Sequence, residues 1–277
     1  MNPHASHPAS LLSLAKSLLR HRELIVQMTK REIMGRYKGS AFGLTWSLFI
    51  PVIMLVVYTF VFSEIFKARW GGLENEESKT QFAIVLFVGV IILNMFNEVI
   101  NRAPGLILSN VNYVKKVVFP LEILPVNAMG AALFHTIINL CVLLVAYIFT
   151  YGYLHWTVIF APLVLLPFVV LIIGLAWFLA SLSVFLRDIG QTVTIVTTLM
   201  MFISPVFYPV TAIPEWFRPI IMANPLTFII QQSREVLIWG NAPNWAGLGI
   251  YYLAAFAVAW AGYSWFQKTR KGFADVL

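Results

Sequence analysis

Six stretches of this chain are long and apolar enough to cross a bilayer, and that restricts its fold more than any other feature. A span needs about 20 mostly apolar residues. Leu44 to Phe66 qualifies, interrupted only by Pro51. So do Phe82 to Ile100, Val126 to Phe149, Trp156 to Phe185, Thr192 to Tyr208 and Trp245 to Phe266. The Trp156 run has room to tilt, and Pro162 and Pro167 predict kinks in it. In lipid the backbone must satisfy its own hydrogen bonds, so runs of this length without strict alternation predict helices rather than a barrel. Composition agrees. Of the 277 residues, 60% are hydrophobic and 11% charged, where a soluble domain carries about 25% charged. So few ionisable groups cannot clothe a water-facing surface.

Orientation follows from Lys and Arg. With the N-terminus inside, the inner segments carry Lys16, Arg20, Arg22, Lys30, Arg31, Arg36, Lys38, Arg102, Lys115, Lys116, Arg187, Lys268, Arg270 and Lys271. The outer segments carry only Lys67, Arg69, Lys79, Arg218 and Arg234. The positive-inside rule then predicts that both termini are cytoplasmic. The net charge of +7 reads as topology rather than nucleic-acid binding, because no basic stripe interleaved with aromatics stands clear of the spans. Met1 to Ser10 is polar, and the first long apolar run is too long for a signal-peptide core, so no cleavable signal is expected. The single cysteine, Cys141, cannot form an intrachain disulfide and has no metal-ligand spacing around it. It is expected to be a small packing residue.

The chain divides into a cytoplasmic N-terminus (1–43), one transmembrane domain (44–266) and a cytoplasmic tail (267–277). From Ser10 to Lys38, Leu11, Leu14, Leu18 and Ile25 recur near helical spacing among basic residues. This predicts an amphipathic helix lying in the cytoplasmic interface, with a solvated basic arm as the alternative. The stretch from about 209 to 244 is too apolar for a free loop and too broken for a span. Pro209, Pro214, Pro219, Pro225 and Pro243 punctuate it, and Thr227 to Gly240 carries the adjacent charges Arg234 and Glu235. A re-entrant or interfacial hairpin at the outer face fits, buried in protein or lining a wet cavity.

No nucleotide-binding G-x-x-x-x-G-K-[ST] occurs. Gly35, Gly39 and Gly43 are spaced by four but follow no strand, and read as packing or hinge glycines. Ion-driven transporters place acidic groups at mid-membrane. Here Glu98 and Glu64 sit near span ends with no partner in view at mid-depth. His135 stands alone in the third span, and is expected to bond a neighbouring helix rather than relay protons. Asp188 and Asp275 are the only aspartates, and no catalytic cluster stands out. The chain therefore reads as a non-enzyme that binds no cofactor of its own.

Lys30-Arg31-Glu32-Ile33-Met34-Gly35-Arg36-Tyr37-Lys38-Gly39-Ser40 runs into Gly43-Leu44-Thr45-Trp46-Ser47-Leu48 and Pro51. This resembles the N-terminal signature of ABC-2 type permeases of polysaccharide exporters. Tyr113-Val114-Lys115-Lys116-Val117-Val118-Phe119-Pro120 with Glu122-Ile123-Leu124-Pro125 is similar to that family's first cytoplasmic loop, and Phe185-Leu186-Arg187-Asp188-Ile189 to its second. Ser204-Pro205-Val206-Phe207-Tyr208-Pro209, Ile213-Pro214 and Asn224-Pro225-Leu226 resemble its outer hairpin. The resemblance covers Lys30 to about Trp245. It implies an all-α integral membrane half-transporter of the ABC-2, type V exporter-like class, with six spans, in the bacterial inner membrane. Two copies would pair around a channel, above two copies of a separate ATP-binding cassette ATPase that holds ATP and Mg. The implied cargo is lipid-linked polysaccharide: O-antigen first, capsule second, with teichoic acid also in the family's range.

Site expectations follow. Lys115, Lys116 and Phe119 in the first inner loop, with Arg187 and Asp188 in the second, are candidates for coupling to the ATPase; the alternative is that the charges only set topology. Arg31, Arg36, Tyr37 and Lys38 are candidates to receive a lipid pyrophosphate at a lateral entrance, because arginine forks bind phosphate oxygens well. Attraction to anionic lipid head groups is the alternative. Aromatic faces suit a sliding sugar polymer. Trp46, Tyr58, Phe60, Phe62, Phe202, Phe207 and Tyr208 are therefore candidates to line the channel, and Trp216, Phe217 and Arg218 to gate its outer mouth. Interface belts of Tyr and Trp are the plainer reading. The rival functions are an ABC-2 exporter of drugs or small lipids, a membrane enzyme of polymer assembly, and a passive channel.

Overall fold

The computed structural model describes residues 10–65, 77–115 and 119–277. Phe66, Lys67, Arg69, Lys116, Val117 and Val118 lie outside the described residues, as do the side chains of Glu64 and Lys79. No strand occurs among the described residues. The N-terminal segment is two helices rather than one, α1 (Leu11–Arg20) and α2 (Arg22–Tyr37), broken at His21. Ser10 caps α1 by accepting from the Ser13 amide, satisfying one of the free donors at a helix start. A 3-10 turn at Gly43–Thr45 leads into α3 (Trp46–Phe60), which passes into a π-helical turn at Val61–Ile65. Then come α4 (Glu77–Ile100), the short α5 (Gly105–Leu108) and α6 (Val111–Lys115), and α7 (Ile123–Tyr151). A 3-10 segment at Trp156–Phe160 enters α8 (Ala161–Phe185), followed by α9 (Ile189–Ile203). The hairpin holds α10 (Arg218–Ala223), α11 (Pro225–Arg234) and a second π turn, Glu235–Trp239. The chain closes with α12 (Trp245–Thr269) and α13 (Phe273–Val276).

Among the described residues, five segments are long and apolar enough to cross a membrane: Gly43–Phe60, Gln81–Ile100, Ile123–Tyr151, Trp156–Phe185 and Trp245–Val276. They coincide with five of the six expected spans. The exception is Thr192 to Tyr208. Its helix is apolar but stops at Ser204-Pro205, because proline cannot donate to the ladder. Its 15 residues rise about 22 Å, short of a hydrocarbon core of about 30 Å. Pro162 falls in the first turn of α8, where its missing N–H is not needed, so the kink expected there is absent. Pro167 lies inside the helix.

α4 is the centre of the bundle. Its face from Phe82 to Ile100 is almost wholly buried against α7, α8, α11 and α3. α8 and α12 pair along much of their length. Small residues allow that approach: a Cβ on Gly262 would collide with the carbonyl of Gly174, and one on Gly174 with the backbone of Ala259. Close backbone contact through small residues is how helices associate where lipid removes the hydrophobic drive. Cys141 on α7 is exposed, not the packed residue expected.

Both described ends of the chain meet at one end of the bundle. Glu122, just before α7, accepts from Ser17 Oγ of α1 at 2.8 Å and from Arg270 Nη1 after α12 at 2.9 Å. Its carbonyl accepts from Trp177 Nε1 of α8 at 2.9 Å. At the other end the hairpin returns into the bundle. Thr157 Oγ1 donates to the Val236 carbonyl at 2.7 Å and Tyr147 OH to that of Ile238 at 3.2 Å. The hairpin helix closes on Gly240, whose φ of 69° suits glycine, with the His155 ring packed where a Cβ would stand.

Candidate functional site

α2 separates two hollows of opposite character. On one side an open groove of about 1240 Å³ runs between α2, α7 and the start of α3. Ile25, Val26, Ile33, Met34, Leu44 and Phe134 line it, with Lys30, Arg31 and Lys38 among its polar residues. On the other side a cleft of about 420 Å³ lies between α2, α3, α4 and α7. Its lining is mostly polar: Arg36, Ser47, Asn94, Asn97, Glu98, Asn101, His135 and Asn139. Tyr37 lines both.

The cleft has an ordered interior. Arg36 Nη2 pairs with Glu98 Oε1 at 2.7 Å. His135 Nδ1 lies 3.0 and 3.1 Å from the two Glu98 oxygens, and Tyr37 OH lies 3.1 Å from His135 Nε2. A neutral imidazole donating from Nδ1 to Glu98 and accepting from Tyr37 at Nε2 satisfies all three groups. Burial raises the Tyr37 phenol above its ordinary value, which keeps it a hydroxyl donor. The remaining bond, Arg36 Nη1 to His135 Nδ1 at 3.2 Å, competes for the same nitrogen. His135 bonds neighbouring helices, while Glu98 was expected to have no partner at mid-depth. That expectation is overturned, because the interface helix delivers Arg36 and Tyr37 to them. Periodicity gave no sign of this, since α2 lies outside the spans. A second ion pair, Arg102 Nη1 to Glu32 Oε1 at 2.5 Å, ties α2 to the end of α4.

The four residues expected at a pyrophosphate entrance divide between the two hollows. Arg31, Tyr37 and Lys38 line the groove, and Arg36 lines the cleft. Arg31 also donates to Tyr113 OH at 3.4 Å, linking the groove to the first inner loop.

The described coupling candidates lie at the end where both described ends of the chain meet. Lys115 is exposed at the end of α6, and Arg187 and Asp188 are exposed in the turn between α8 and α9. Phe119 is partly buried instead. Its ring stacks on Tyr113 with centroids 4.4 Å apart, and its carbonyl accepts from Arg270 Nη2 at 2.9 Å. Sequence reasoning missed the set that anchors this loop: Glu122, Ser17, Trp177 and Arg270. Glu122 was quoted only as part of a motif, and nothing in linear spacing marks its partners.

The aromatics expected along a channel form no continuous lining within one chain. Phe62 stacks on Phe82 at 5.6 Å and on Phe207 at 5.9 Å, while Tyr208 OH donates to the Phe202 carbonyl at 2.7 Å. Tyr58 packs against the core, and Phe60 and Phe202 are exposed. Trp46 lies near the other end of α3, edge-on to Phe42 and Phe49. Trp216 is exposed beside Phe217, and Arg218 Nε donates to the Ile213 carbonyl at 3.0 Å.

The hairpin also holds a residue whose role the sequence disguised. Arg234, counted above among the outer charges, is only 4% exposed. Its Nε donates to the Val85 carbonyl at 3.1 Å, Nη1 to Pro205 at 2.7 Å and Nη2 to Val206 at 2.9 Å. The last two carbonyls belong to the turn that follows α9.

Comparison with known proteins places this architecture. The chain is 27% identical over 258 residues to the O-antigen export system permease protein RfbA of Klebsiella pneumoniae, covering 92% of this chain and 95% of that protein. It is 25% identical over 269 residues to the O-antigen export system permease protein RfbA of Myxococcus xanthus, covering 96% and 100%. It is 23% identical over 233 residues to the polysialic acid transport protein KpsM of Escherichia coli, covering 82% and 85%. The profile of the ABC-2 type transporter family matches residues 23–238, most of the length, and the chain belongs to that family.

Proposed function

We propose that this chain is the membrane subunit of an ATP-driven exporter of lipid-linked polysaccharide, O-antigen in the first place and capsule in the second. One observation carries the reading: a large apolar groove and a polar cleft lie side by side on α2. Such a pair of surfaces suits a cargo that is lipid at one end and sugar at the other. The printed names of the relatives point the same way. Export of drugs or small lipids would use the groove alone and leaves the cleft without a purpose.

Two copies pair around a channel in the bacterial inner membrane. The end that gathers Ser17, Glu122 and Arg270 faces the cytoplasm, because most Lys and Arg lie on that side. The chain then crosses six times, with α9 and Ser204 to Tyr208 making the fifth crossing and the hairpin re-entering from outside. ATP and Mg are held by two separate ATPase subunits that dock against Lys115, Lys116, Arg187 and Asp188, with Phe119 stiffening the loop behind them. Arg31, Tyr37 and Lys38 receive the pyrophosphate where the groove opens. Phe62, Phe207 and Tyr208 belong to the channel wall, and Trp216, Phe217 and Arg218 to its outer gate.

The test is where the polymer goes when the gene is deleted. Full-length polymer inside the cell and none on its surface supports the reading. Normal surface polymer refutes it, and polymer missing from both places moves the step to assembly. Replacing Lys115 and Lys116 together, or Arg187 alone, should separate ATP hydrolysis from export, measured as ATP consumed per polymer delivered. An unchanged ratio removes these residues from the interface.

A further inference from the structure

Asn94, Asn97 and Glu98 of α4, with Asn101 just past its end, follow the spacing i, i+3, i+4, i+7 and so share one face. The face extends about 10 Å along the helix axis. Asn94 and Asn101 are exposed, although they sit on or just past an otherwise buried apolar helix. Polar groups turned toward hydrocarbon are costly, so this face meets water or a polar ligand. Asn139 of α7 lines the same cleft. Asn101 Oδ1 accepts from Thr197 Oγ1 of α9 at 2.8 Å. The Oδ1 of Asn97 is buried and accepts no hydrogen bond. A buried acceptor of that kind costs free energy until a donor meets it.

The charges of the cleft are balanced. Arg36 is held by Glu98 at 2.7 Å, so an entering anion would have to displace a carboxylate already in place. Each asparagine offers two donors and one acceptor, which matches a hydroxyl that both donates and accepts. The geometry points to a site for neutral sugar hydroxyls: the carboxamides of Asn94, Asn97 and Asn139 bind the glycan of the cargo, beside the groove that takes its lipid. This deepens the exporter reading and rests on it. It also separates the two ends of the cargo, with the pyrophosphate left to the basic rim of the groove and the sugar taken by the cleft.

Two measurements test the site. The first is surface polymer in a strain carrying Asn94→Leu with Asn97→Leu, a change that keeps bulk and removes hydrogen bonding. Surface polymer should fall about tenfold, with full-length polymer held inside and normal amounts of permease in the membrane bound to its ATPase. The pair Asn94→Ser with Asn97→Ser, which keeps a donor and an acceptor at each position, should recover most export. The second is a photo-crosslinking amino acid at position 94 in cells making polymer. The adduct should carry glycan that survives mild acid, which cleaves sugar from pyrophosphate. Normal export by the leucine pair overturns the proposal. So does glycan released from the adduct by mild acid, which means a contact with the lipid carrier. So does an adduct to a second copy of the chain alone, which means the asparagines are interface contacts. If deletion of the gene traps polymer but the leucine pair exports it, only the cleft fails. If deletion leaves surface polymer normal, the exporter reading fails and the cleft with it.

Discussion

Each end of the bundle is held by one buried charged side chain, and the two are satisfied in different ways. Glu122 and Arg234 are both 4% exposed. Glu122 meets an opposite charge and a hydroxyl, each from a distant part of the chain. Arg234 meets backbone carbonyls, two of them just past the end of α9. The first arrangement joins three separate segments at one carboxylate, its own included. The second gathers three backbone carbonyls, one from α4 and two from the turn after α9, onto one guanidinium. Neither anchor can be recognised from linear spacing, because the groups that meet it come from distant parts of the chain.

The comparison breaks first at Arg234. Arg234→Met keeps much of the bulk but strands the carbonyls of Val85, Pro205 and Val206 and removes three charge-assisted bonds. The loss should be about 3 kcal/mol or more, since hydrogen bonds to a charged group are lost and buried acceptors are left unsatisfied. Thermal unfolding in detergent and the amount of protein in the membrane report it. A variant as stable as the parent would mean that packing, not the guanidinium, holds the hairpin against α4. Gly89 gives the same contact a second handle, because a Cβ there would lie 3.0 Å from Arg234 Nη2 and 3.1 Å from Val206 Cα.

The Glu122 end should break less, and unequally. Arg270→Met leaves a carboxylate buried with Ser17 still on it, at a cost of about 2 kcal/mol. Glu122→Gln keeps one acceptor oxygen for Arg270 and turns an amide N–H toward the Ser17 hydroxyl, which can accept it, and should cost nearer 1 kcal/mol. Combining them should cost less than the sum, since the double variant has no stranded charge. Additive losses in the three unfolding transitions would show that Glu122 and Arg270 act independently.

Much of the fold was legible because lipid imposes a simple rule. Helices long enough to cross are apolar along their whole length, and five of the six expected spans coincide with observed segments. The fifth in order was read too long. Apolar residues continue through Val206 to Tyr208, but Ser204-Pro205 ends the hydrogen-bond ladder, and hydropathy does not register that. The prolines of the stretch from about 209 to 244 do accompany a break into short helices, α10 and α11. Hydropathy also failed to separate α3 from α4. Their apolar windows average 1.9 and 2.3, yet 11% of the first is buried inside the chain and 83% of the second. Burial depends on which helices pack around a span, and two apolar helices differ in that only once the bundle is assembled. The site was legible in part, because the basic turn at Arg31 to Lys38 does lie at a large groove. Its polar side was missed. Asn94, Asn97 and Asn101 lie within or just past an apolar run and drew no separate expectation, although their helical spacing is present in the sequence. Their joining to Arg36 and His135 depends on how α2 crosses α7, which no local signal carries.

The smallest effect sharpens the comparison from the opposite side. Arg218 also lies in the hairpin, forms an ion pair with Glu215 at 3.8 Å and donates to the Ile213 carbonyl. On paper it resembles Arg234, a cation facing carbonyls near a helix end. Its side chain is 41% exposed, however, and that of Glu215 is 91% exposed. Water can replace each of those bonds, so Arg218→Ala should change stability by less than about 0.5 kcal/mol. Unfolding midpoints for the two arginine variants, taken under one set of conditions, then measure what burial adds to otherwise similar contacts. A loss for Arg218→Ala as large as that for Arg234→Met would mean that the outer turn, not the buried guanidinium, is what holds the hairpin in place.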